Sequence, residues 1–388
     1  MHLGKKRTYL DWASAAPVSK RARMAFDRAL AMDGNPSSPH AEGRAAKKIL
    51  EDARTTIARL AEVKADGVIF TSGATEANNL ALSGFVQELR AKNPAQKLHL
   101  LYLPTAHSSI IETVKMLAHY GVEIEPLKLS EGSIDLQALT KQIKPETALV
   151  TVDAVCGETG IQFDTRDVRR TLDAVRAGIV LHVDASQLPR IGPFELTRLG
   201  ADLLTLDAQK VGGVRGIGAL VVRHGVSLSP ITHGGGQEHG LRPGTEVPAL
   251  AASFAEALTE TKEAYATFVT RAQADRTKLI ETTSTAIPDV HINEGKQQAP
   301  HILNLSFVGR DTDYAVALLD QAGFAVSTKS ACETDAEGSR VVLCVTGDSH
   351  RAASTLRISW GASTSSRDLE RFATAVIRTI RFLDAHRL

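Results

Sequence analysis

The sequence predicts an α/β protein with a mostly parallel sheet covered by helices on both faces, followed by a smaller α+β domain. Short apolar runs alternate with helix-like segments through the first part of the chain, and this pattern changes after about Gly244. The length of 388 residues is also long for one hydrophobic core, which favours two domains. We expect a large domain over residues 16–250 and a small domain formed by residues 1–15 and 251–388.

The expected strands of the large domain are short apolar runs, and the expected helices have apolar residues on one face. The strand candidates are Val68–Thr71, Leu98–Leu103, Ala148–Asp153, Ile179–Asp184, Leu203–Leu206 and Ile217–Val222. The helix candidates are Ala41–Glu62, Thr75–Leu89, Ser109–Tyr120 and Thr165–Arg176. Strands that alternate with helices imply a parallel sheet, and such sheets bind ligands at the carboxyl ends of their strands.

The C-terminal part mixes longer helices with a few strands, which is typical of an α+β domain. The expected helices are Val247–Thr270 and beyond, Tyr314–Ala322 and a last helix from Ser366. The expected strands are Ile302–Phe307, Ala325–Ser327 and Thr355–Trp360.

Composition excludes several classes of protein. The net charge is +1, so nothing indicates a nucleic acid or an anionic membrane as partner. No run of eighteen apolar residues occurs, and we expect no transmembrane helix. The three cysteines, Cys156, Cys332 and Cys344, are too few and too scattered for a disulfide framework or a zinc site, which favours a reducing cytoplasm and no bound metal.

Two charged residues follow neighbouring strands of the predicted sheet. Asp184 ends one apolar run, and Lys210 comes shortly after the next, Leu203–Leu206. Each has an ordinary explanation, since a strand-end aspartate often caps a helix and a lysine after a strand is usually solvated. Together they match pyridoxal 5′-phosphate (PLP) chemistry, which requires a lysine for a Schiff base and a carboxylate for the pyridinium nitrogen. The pair therefore predicts a PLP site at this edge of the sheet.

An anion site is predicted where Val68–Thr71 leads into the next helix. The segment Thr71-Ser72-Gly73-Ala74-Thr75 turns at a glycine and begins that helix. Backbone N–H groups and the Thr75 hydroxyl at a helix N-terminus favour a phosphate. A plain capped turn is the alternative.

The cysteines differ in their surroundings. Small polar residues and Lys329 surround Cys332, which predicts an exposed loop and makes it a candidate for a reactive thiolate. A cysteine without a function fits these local features equally well. Cys344 lies in the apolar run 341–345, so we expect it to be buried.

Two further polar residues are candidates for binding or catalysis. Arg357 interrupts an apolar strand, and its guanidinium suits a substrate carboxylate, although a surface arginine on an edge strand gives the same pattern. His107 precedes a helix, where it is able to stack on a ring, to shuttle protons or simply to cap the helix.

Together these segments resemble the cysteine desulfurases, in the class V group of fold-type I PLP enzymes. The resemblance covers nearly the whole chain, in both order and spacing. The matching motifs are Tyr9-Leu10-Asp11, Gly34 to His40, Ser72 to Glu76, His107, Asp184 with Gln187, Lys210, His233 to Glu238, Arg242 to Thr245, Ser330-Ala331-Cys332 and Arg357. This likeness implies the PLP-dependent transferase fold with a seven-stranded type of sheet.

The resemblance also implies how the cofactor is held. Lys210 would form the Schiff base, His107 would stack on the ring and Asp184 would pair with the ring nitrogen. The remaining contacts would be made by Gln187 and Gly157 near the ring hydroxyl and by Ala74, Thr75, Asp207 and Gln209 near the phosphate. Thr245 would reach the phosphate of a neighbouring subunit, which implies a homodimer with shared active sites.

For the substrate, the resemblance implies that Asn35 and Arg357 hold L-cysteine. Cys332, on a loop of the small domain, would attack the substrate sulfur, leaving alanine and a persulfide on Cys332. The persulfide sulfur would pass to an acceptor protein, either an iron–sulfur scaffold or a tRNA-thiolation enzyme.

Several positions depart from the family pattern. Serine and histidine are usual at the positions of Asp207 and Gln209, asparagine is usual at Gly157, and a pair of asparagines is usual at Trp12-Ala13. Asp207 near a phosphate would cost roughly 4 kcal/mol of repulsion for unit charges about 4 Å apart at an effective dielectric of about 20. We expect a working enzyme that holds PLP weakly.

Two alternatives stay open on the sequence alone. One is another PLP enzyme of this class: a selenocysteine lyase, an aminotransferase or a kynureninase-like hydrolase. The other is a regulatory homologue that no longer binds PLP. Cys332 favours the desulfurase among the enzymes, and retention of Lys210, Asp184 and Arg357 argues against the regulatory homologue.

Overall fold

A seven-stranded sheet forms the centre of the larger part of the molecule, in a computed structural model that describes residues 7–328 and 338–386. The strands are β1 (Thr8–Tyr9), β2 (Val68–Thr71), β3 (His99–Tyr102), β4 (Glu123–Pro126), β5 (Leu129–Ser130), β6 (Ser133–Ile134), β7 (Thr147–Asp153), β8 (Val180–Asp184), β9 (Leu203–Asp207), β10 (Gly218–Val222), β11 (His291–Ile292), β12 (Ile302–Ser306), β13 (Phe324–Ala325) and β14 (Thr355–Ser359). The central sheet has the order β2-β10-β9-β8-β7-β3-β4. Only β10 is antiparallel to its neighbours in it, which confirms the predicted mostly parallel sheet.

Helices surround this sheet. They are α1 (Lys20–Leu30), α2 (Ala41–Ala61), α3 (Ala74–Asn79), α4 (Phe85–Lys92), α5 (Ser108–His119), α6 (Leu136–Gln142), α7 (Thr165–Val175), α8 (Leu196–Leu199), α9 (Ala208–Val211), α10 (Pro248–Ala286), α11 (Thr312–Gln321), α12 (Arg340–Thr346), α13 (Ser349–Ala353) and α14 (Ser366–Ala385). Every residue of β8 and β9 is buried, so both faces of the sheet are covered there. Within the described ranges, no helix has the length and apolar character needed to span a membrane.

Side-chain caps explain where several helices begin. The Ser19 hydroxyl accepts a hydrogen bond from Ala22 N at the start of α1, and the Asp164 carboxylate accepts one from Asp167 N at the start of α7. Gly73, before α3, has φ of 153°, a conformation that favours glycine, and it has no side chain to cap the helix. The first N–H groups of α3 therefore need a partner from elsewhere.

Among the described residues, buried apolar side chains form two clusters. The first surrounds the central sheet, and the second packs around β12, β14 and α14. Helix α10 joins them, because Phe254 and Leu258 belong to the first cluster and Phe268 and Leu279 to the second. We propose that the two clusters are the cores of the two domains; the boundary near residue 250 stays a prediction.

The second cluster brings the start of the chain beside β14. Strand β1 pairs with β13, and Asp11 forms a bridge with Ser359 at the end of β14. Strand β14 pairs with β12, and Arg357 lies opposite Asn304 in that register. The N-terminal segment and Arg357 are thereby carried to the edge of the central sheet.

Candidate active site

Three neighbouring parallel strands, β7, β8 and β9, each end in an aspartate: Asp153, Asp184 and Asp207. All three line one cavity of about 290 Å³, here called the central pocket. The cavity also contains ten of the residues expected from the sequence: Ala74, Thr75, His107, Gly157, Asp184, Gln187, Asp207, Gln209, Lys210 and Arg357. The strand-end position predicted for a ligand is therefore where these residues meet.

Asp184 is fixed at the floor of the pocket by two hydrogen bonds. Its Oδ2 accepts from Asn78 Nδ2 at 2.8 Å, and its Oδ1 accepts from Ser186 N at 2.9 Å. The residue is 7% exposed. A buried carboxylate that accepts two hydrogen bonds is held in one orientation and favours a cationic partner.

Lys210 lies on the short helix α9, immediately after β9. Its Nζ donates to Ala13 O at 2.8 Å and to Ser14 O at 2.7 Å, and Arg190 Nε donates to the Lys210 carbonyl at 2.9 Å. Burial lowers the pKa of the Lys210 ammonium below its ordinary value, although the nearby Asp207 opposes this shift. Lys210 is therefore held both at its backbone carbonyl and at its amine. The lowered pKa of the amine suits a nucleophile or a base.

His107 precedes α5 and caps that helix. Its Nδ1 is 3.1 Å from Ser109 N and 2.8 Å from Ser109 Oγ. Burial lowers the pKa of the imidazole, so the ring is neutral near pH 7. The capping interpretation left open by the sequence is correct, and the ring also lines the pocket.

Asp153 is a second carboxyl beside Asp184 in the register of β7 and β8. Burial, and then the charge of Asp184, raise its pKa well above the ordinary value, while a hydrogen bond from the His107 backbone opposes the rise. Its Oδ1 is buried without a hydrogen-bond partner. Sequence reasoning gave Asp153 no role, although it ends a strand in the same way as Asp184.

Gln187 fills the space beside Gly157. A Cβ at Gly157 would lie 3.1 Å from Gln187 Nε2, so a side chain at Gly157 would require this amide to move. The same Nε2 donates to Ala13 O at 2.9 Å. Gln187 therefore lies in the space that a side chain at position 157 would need.

The start of α3 is occupied by Asp207. Its Oδ2 accepts from Ala74 N at 3.2 Å, and its Oδ1 accepts from Gln209 N at 3.0 Å. Asp207 is 6% exposed, and burial raises the pKa of its carboxyl, with Lys210 opposing. The expected phosphate site therefore contains an acidic side chain that is bonded to one of the backbone donors.

Arg357 reaches the pocket from β14 and already has an anionic partner. Its Nη2 lies 2.8 Å from Asp11 Oδ1 and donates to Ser14 Oγ, and its Nη1 donates to Gly157 O at 3.1 Å. The residue is 3% exposed, so it is not a surface arginine. A carboxylate that binds here would exchange with Asp11 or share the guanidinium with it.

Arg340, at the start of α12, is a site residue that sequence reasoning missed. Its Nη2 donates to Ala106 O at 2.8 Å, and its Nη1 donates to Pro104 O. It lines the pocket and holds the segment that leads to His107. No local sequence signal marks it, because its partners lie more than 200 residues earlier in the chain.

The other expected site residues have different outcomes. Cys332 lies outside the described residues. Asn35 and Thr245 are exposed and do not line the pocket within this chain, so their roles stay predictions. Cys344 was expected to be buried, but it is exposed, because the run 341–345 forms the amphipathic helix α12 rather than a buried strand. Cys156 is buried in the pocket wall, and burial raises the pKa of its thiol.

The pocket fits PLP by the chemistry of its groups. It combines a lysine of lowered pKa, a fixed carboxylate and a helix N-terminus. The hydroxyls of Thr105 and Ser186 are buried in its wall without hydrogen-bond partners, which favours a polar ligand. Asp207 is the one group that matches poorly, since it competes for a donor at the phosphate end.

Comparison with known proteins gives one consistent family. The profile of the Aminotransferase class-V family matches residues 8–372. The chain is 33% identical to cysteine desulfurase IscS 1 of Archaeoglobus fulgidus, over 94% of each protein. It is 34% identical to cysteine desulfurase IscS of Proteus mirabilis, over 93% of this chain and 90% of the relative. A solved NifS-like protein superposes with a TM-score of 0.91 at 27% identity, covering 97% of this chain and 100% of that structure.

Proposed function

We propose, from the premise that this chain belongs to the cysteine desulfurases of the aminotransferase class-V family, that it converts L-cysteine to L-alanine and transfers the sulfur to Cys332. The observation that carries the proposal is the convergence of Lys210, Asp184 and Arg357 on one pocket. These are the groups that a PLP enzyme acting on an amino acid requires: an amine, a carboxylate and an anion-binding guanidinium.

PLP is the cofactor of this family, and when bound it withdraws electrons from the substrate and so acidifies its Cα. Lys210 would hold it covalently, Asp184 would pair with the ring nitrogen, and His107 and Gln187 would contact the ring. Ala74, Thr75, Asp207 and Gln209 would surround the phosphate. Gly157 has no side chain to offer, and Gln187 packs closely against its backbone.

Lys210 would move the proton at the reacting carbon. Its Nζ lies at the pocket floor, and burial lowers its pKa, so the amine exchanges a proton more readily near neutral pH than a solvated lysine does. The carbonyls of Ala13 and Ser14 accept from Nζ and hold it within the pocket.

Arg357 would bind the carboxylate of L-cysteine. Its two Nη atoms already accommodate a carboxylate, Asp11, and a carbonyl, Gly157 O, within the pocket. A guanidinium held on both sides presents its donors in a fixed plane, which suits an amino acid carboxylate. We infer that Asn35 contacts the substrate and that Thr245 reaches the phosphate of a neighbouring subunit in a homodimer.

Cys332 would accept the sulfur. The described residues on either side of its segment contact the pocket region, since Ser327 bridges Arg357 and Arg340 lines the cavity. This support makes Cys332 the proposed acceptor ahead of Cys156, whose thiol is buried and has a raised pKa. The persulfide would pass to an acceptor protein of iron–sulfur cluster assembly or tRNA thiolation, in the cytoplasm.

The test is to incubate the purified protein with L-cysteine, PLP and a reductant, and to measure alanine and sulfide. We expect the two products in equal amounts, with no pyruvate. Alanine from L-selenocysteine with little from L-cysteine would instead favour a selenocysteine lyase. Absence of PLP binding together with absence of both products would favour a regulatory homologue.

A further inference from the structure

The phosphate end of the central pocket contains a carboxyl group at the place where an anion must bind. Asp207 Oδ2 accepts from Ala74 N, and Gly73 leaves the start of α3 without a cap of its own. The Asp207 carboxyl thus occupies the position at this helix N-terminus that an anionic ligand would take. Any phosphate that uses Ala74 N must take this donor from Asp207.

Asp207 is not free to swing away from the site. Its other oxygen, Oδ1, caps α9 by accepting from Gln209 N, and Gln209 Nε2 lies 3.4 Å from Oδ2. The side chain is 6% exposed. Moving the ionised carboxylate out would break these hydrogen bonds and uncap α9, whereas adding a proton to Oδ2 keeps the cap on Oδ1 and converts Oδ2 from an acceptor into a donor.

We propose that Asp207 binds the phosphate of PLP as a neutral carboxylic acid, so that each molecule of cofactor is bound together with one proton. The proton comes from solvent, attaches to Oδ2 and forms a hydrogen bond with a phosphate oxygen, while Ala74 N transfers its own hydrogen bond from Asp207 to the phosphate. The proposal rests on the proposed function, because it takes PLP as the ligand.

The charges around Asp207 favour this protonation once the phosphate is present. Lys210 Nζ is the cation that stabilises the ionised form, and burial lowers the pKa of that ammonium, which weakens the stabilisation. Asp184 from β8 favours the neutral form, and the His107 ring at the start of α5 is itself neutral. On α3, Glu76 is paired with Arg242, so neither adds an isolated charge. Burial already raises the pKa of Asp207 before a dianion arrives beside it.

The matched variant is Asp207→Asn, which has the same shape, keeps a carbonyl to cap α9 and offers a permanent N–H donor. Cofactor-free wild type and variant, prepared from holoprotein, are titrated with PLP from pH 7 to pH 9. Calorimetry in buffers of different ionisation enthalpy gives the number of protons taken up. Asp207→Ser serves as a second uncharged donor, and thermal unfolding confirms that each variant is folded.

We expect wild type to take up one proton more than Asp207→Asn at pH 8. Its Kd for PLP should rise relative to that of the variant by about tenfold per pH unit, since one linked proton corresponds to that slope. Both neutral variants should bind PLP at least about tenfold more tightly than wild type at pH 9 on the same one-proton linkage.

Equal proton uptake, parallel pH curves, or weaker binding by Asp207→Asn at every pH would overturn the proposal, because the cofactor would then bind without a proton on Asp207. These outcomes would leave the proposed function untouched, because PLP would still bind. If wild type and both variants all fail to bind PLP, the proposed function fails and this proposal fails with it.

Discussion

The floor and the C-terminal wall of the central pocket are built differently. The floor consists of Asp153, Asp184 and Asp207 at adjacent strand ends, together with Lys210 on α9. The C-terminal wall contains Arg340, Val341 and Arg357, and the two arginines donate to carbonyls of residues more than 190 positions away. Floor geometry follows from one sheet, whereas wall geometry depends on how the two hydrophobic clusters pack together. We therefore expect floor substitutions to abolish chemistry and wall substitutions to change capture of substrate and sulfur.

The largest effect should come from the floor. Lys210→Ala removes the amine that would hold the cofactor and move the proton, and we expect turnover of L-cysteine to fall by about 10²–10⁴-fold or more. The yellow absorbance of the covalently held cofactor should disappear. Lys262→Ala, at an exposed lysine on α10, is the control and should keep both. An unchanged spectrum in Lys210→Ala would remove Lys210 from the proposed role.

Cys332→Ser should separate cofactor binding from sulfur transfer. The variant should bind PLP and L-cysteine but form no persulfide, since serine oxygen cannot carry the sulfur. Mass spectrometry after L-cysteine treatment measures this directly. Because Cys344 is exposed, Cys344→Ser is the stringent control and should keep a persulfide on Cys332. A persulfide on Cys156 or Cys344 in Cys332→Ser, with turnover intact, would show that another cysteine is the acceptor.

Arg357→Lys should affect substrate binding more than chemistry. The ammonium keeps the charge but loses the planar pair of donors, which costs about 1.5–3 kcal/mol and raises KM for L-cysteine by about 10- to 100-fold. We expect kcat to change by less than about tenfold on the same reasoning. Arg371→Lys, at a half-exposed arginine of α14, should leave KM unchanged. A loss confined to kcat would place Arg357 with the floor rather than with the wall.

The smallest effect concerns acid stability. His182, under the floor, is hydrogen-bonded to Thr151 and Thr205, and burial lowers its pKa to about 4. His301, in the second part of the chain, is also buried and has a pKa of about 3. Below about pH 6.5 these two histidines bind protons in the unfolded chain but stay neutral in the folded protein. Each histidine therefore lowers the free energy of unfolding by up to about 1.4 kcal/mol per pH unit as the pH falls towards its folded pKa.

Urea unfolding between pH 6.5 and pH 4.5 measures this dependence. His182→Gln should flatten the slope by about one proton, and the double variant with His301→Gln by about two. Exposed His350→Gln is the control. A slope that the buried substitutions leave unchanged would mean that these histidines do not control acid unfolding.

The floor of the pocket could be predicted from the sequence better than the wall, because the floor is formed by strand ends of one sheet. Asp184, Lys210 and the Gly73 turn were found from the sequence, because strand ends of a parallel sheet meet at one edge. The orientation of Asp207 was not, since its carboxylate accepts from a backbone N–H, that of Ala74, 133 positions away. The roles of Arg340 and Asn78 were also not predicted, because their hydrogen-bond partners are distant in the chain. Cys344 was assigned to a buried run by hydrophobicity alone, although helical periodicity puts it on the outer face of α12.

The central claim is that Lys210 holds PLP in the pocket of a cysteine desulfurase, and chemical trapping tests it most directly. The purified protein, supplied with PLP, is reduced with sodium borohydride, digested and mapped by peptide mass spectrometry. We predict a reduced PLP adduct on the peptide that contains Lys210. If L-cysteine is added before the reductant, this peptide adduct should decrease and the reduced cofactor should be recovered attached to the amino acid, free of the protein. An adduct on a different lysine, or no adduct at saturating PLP, would contradict the assignment.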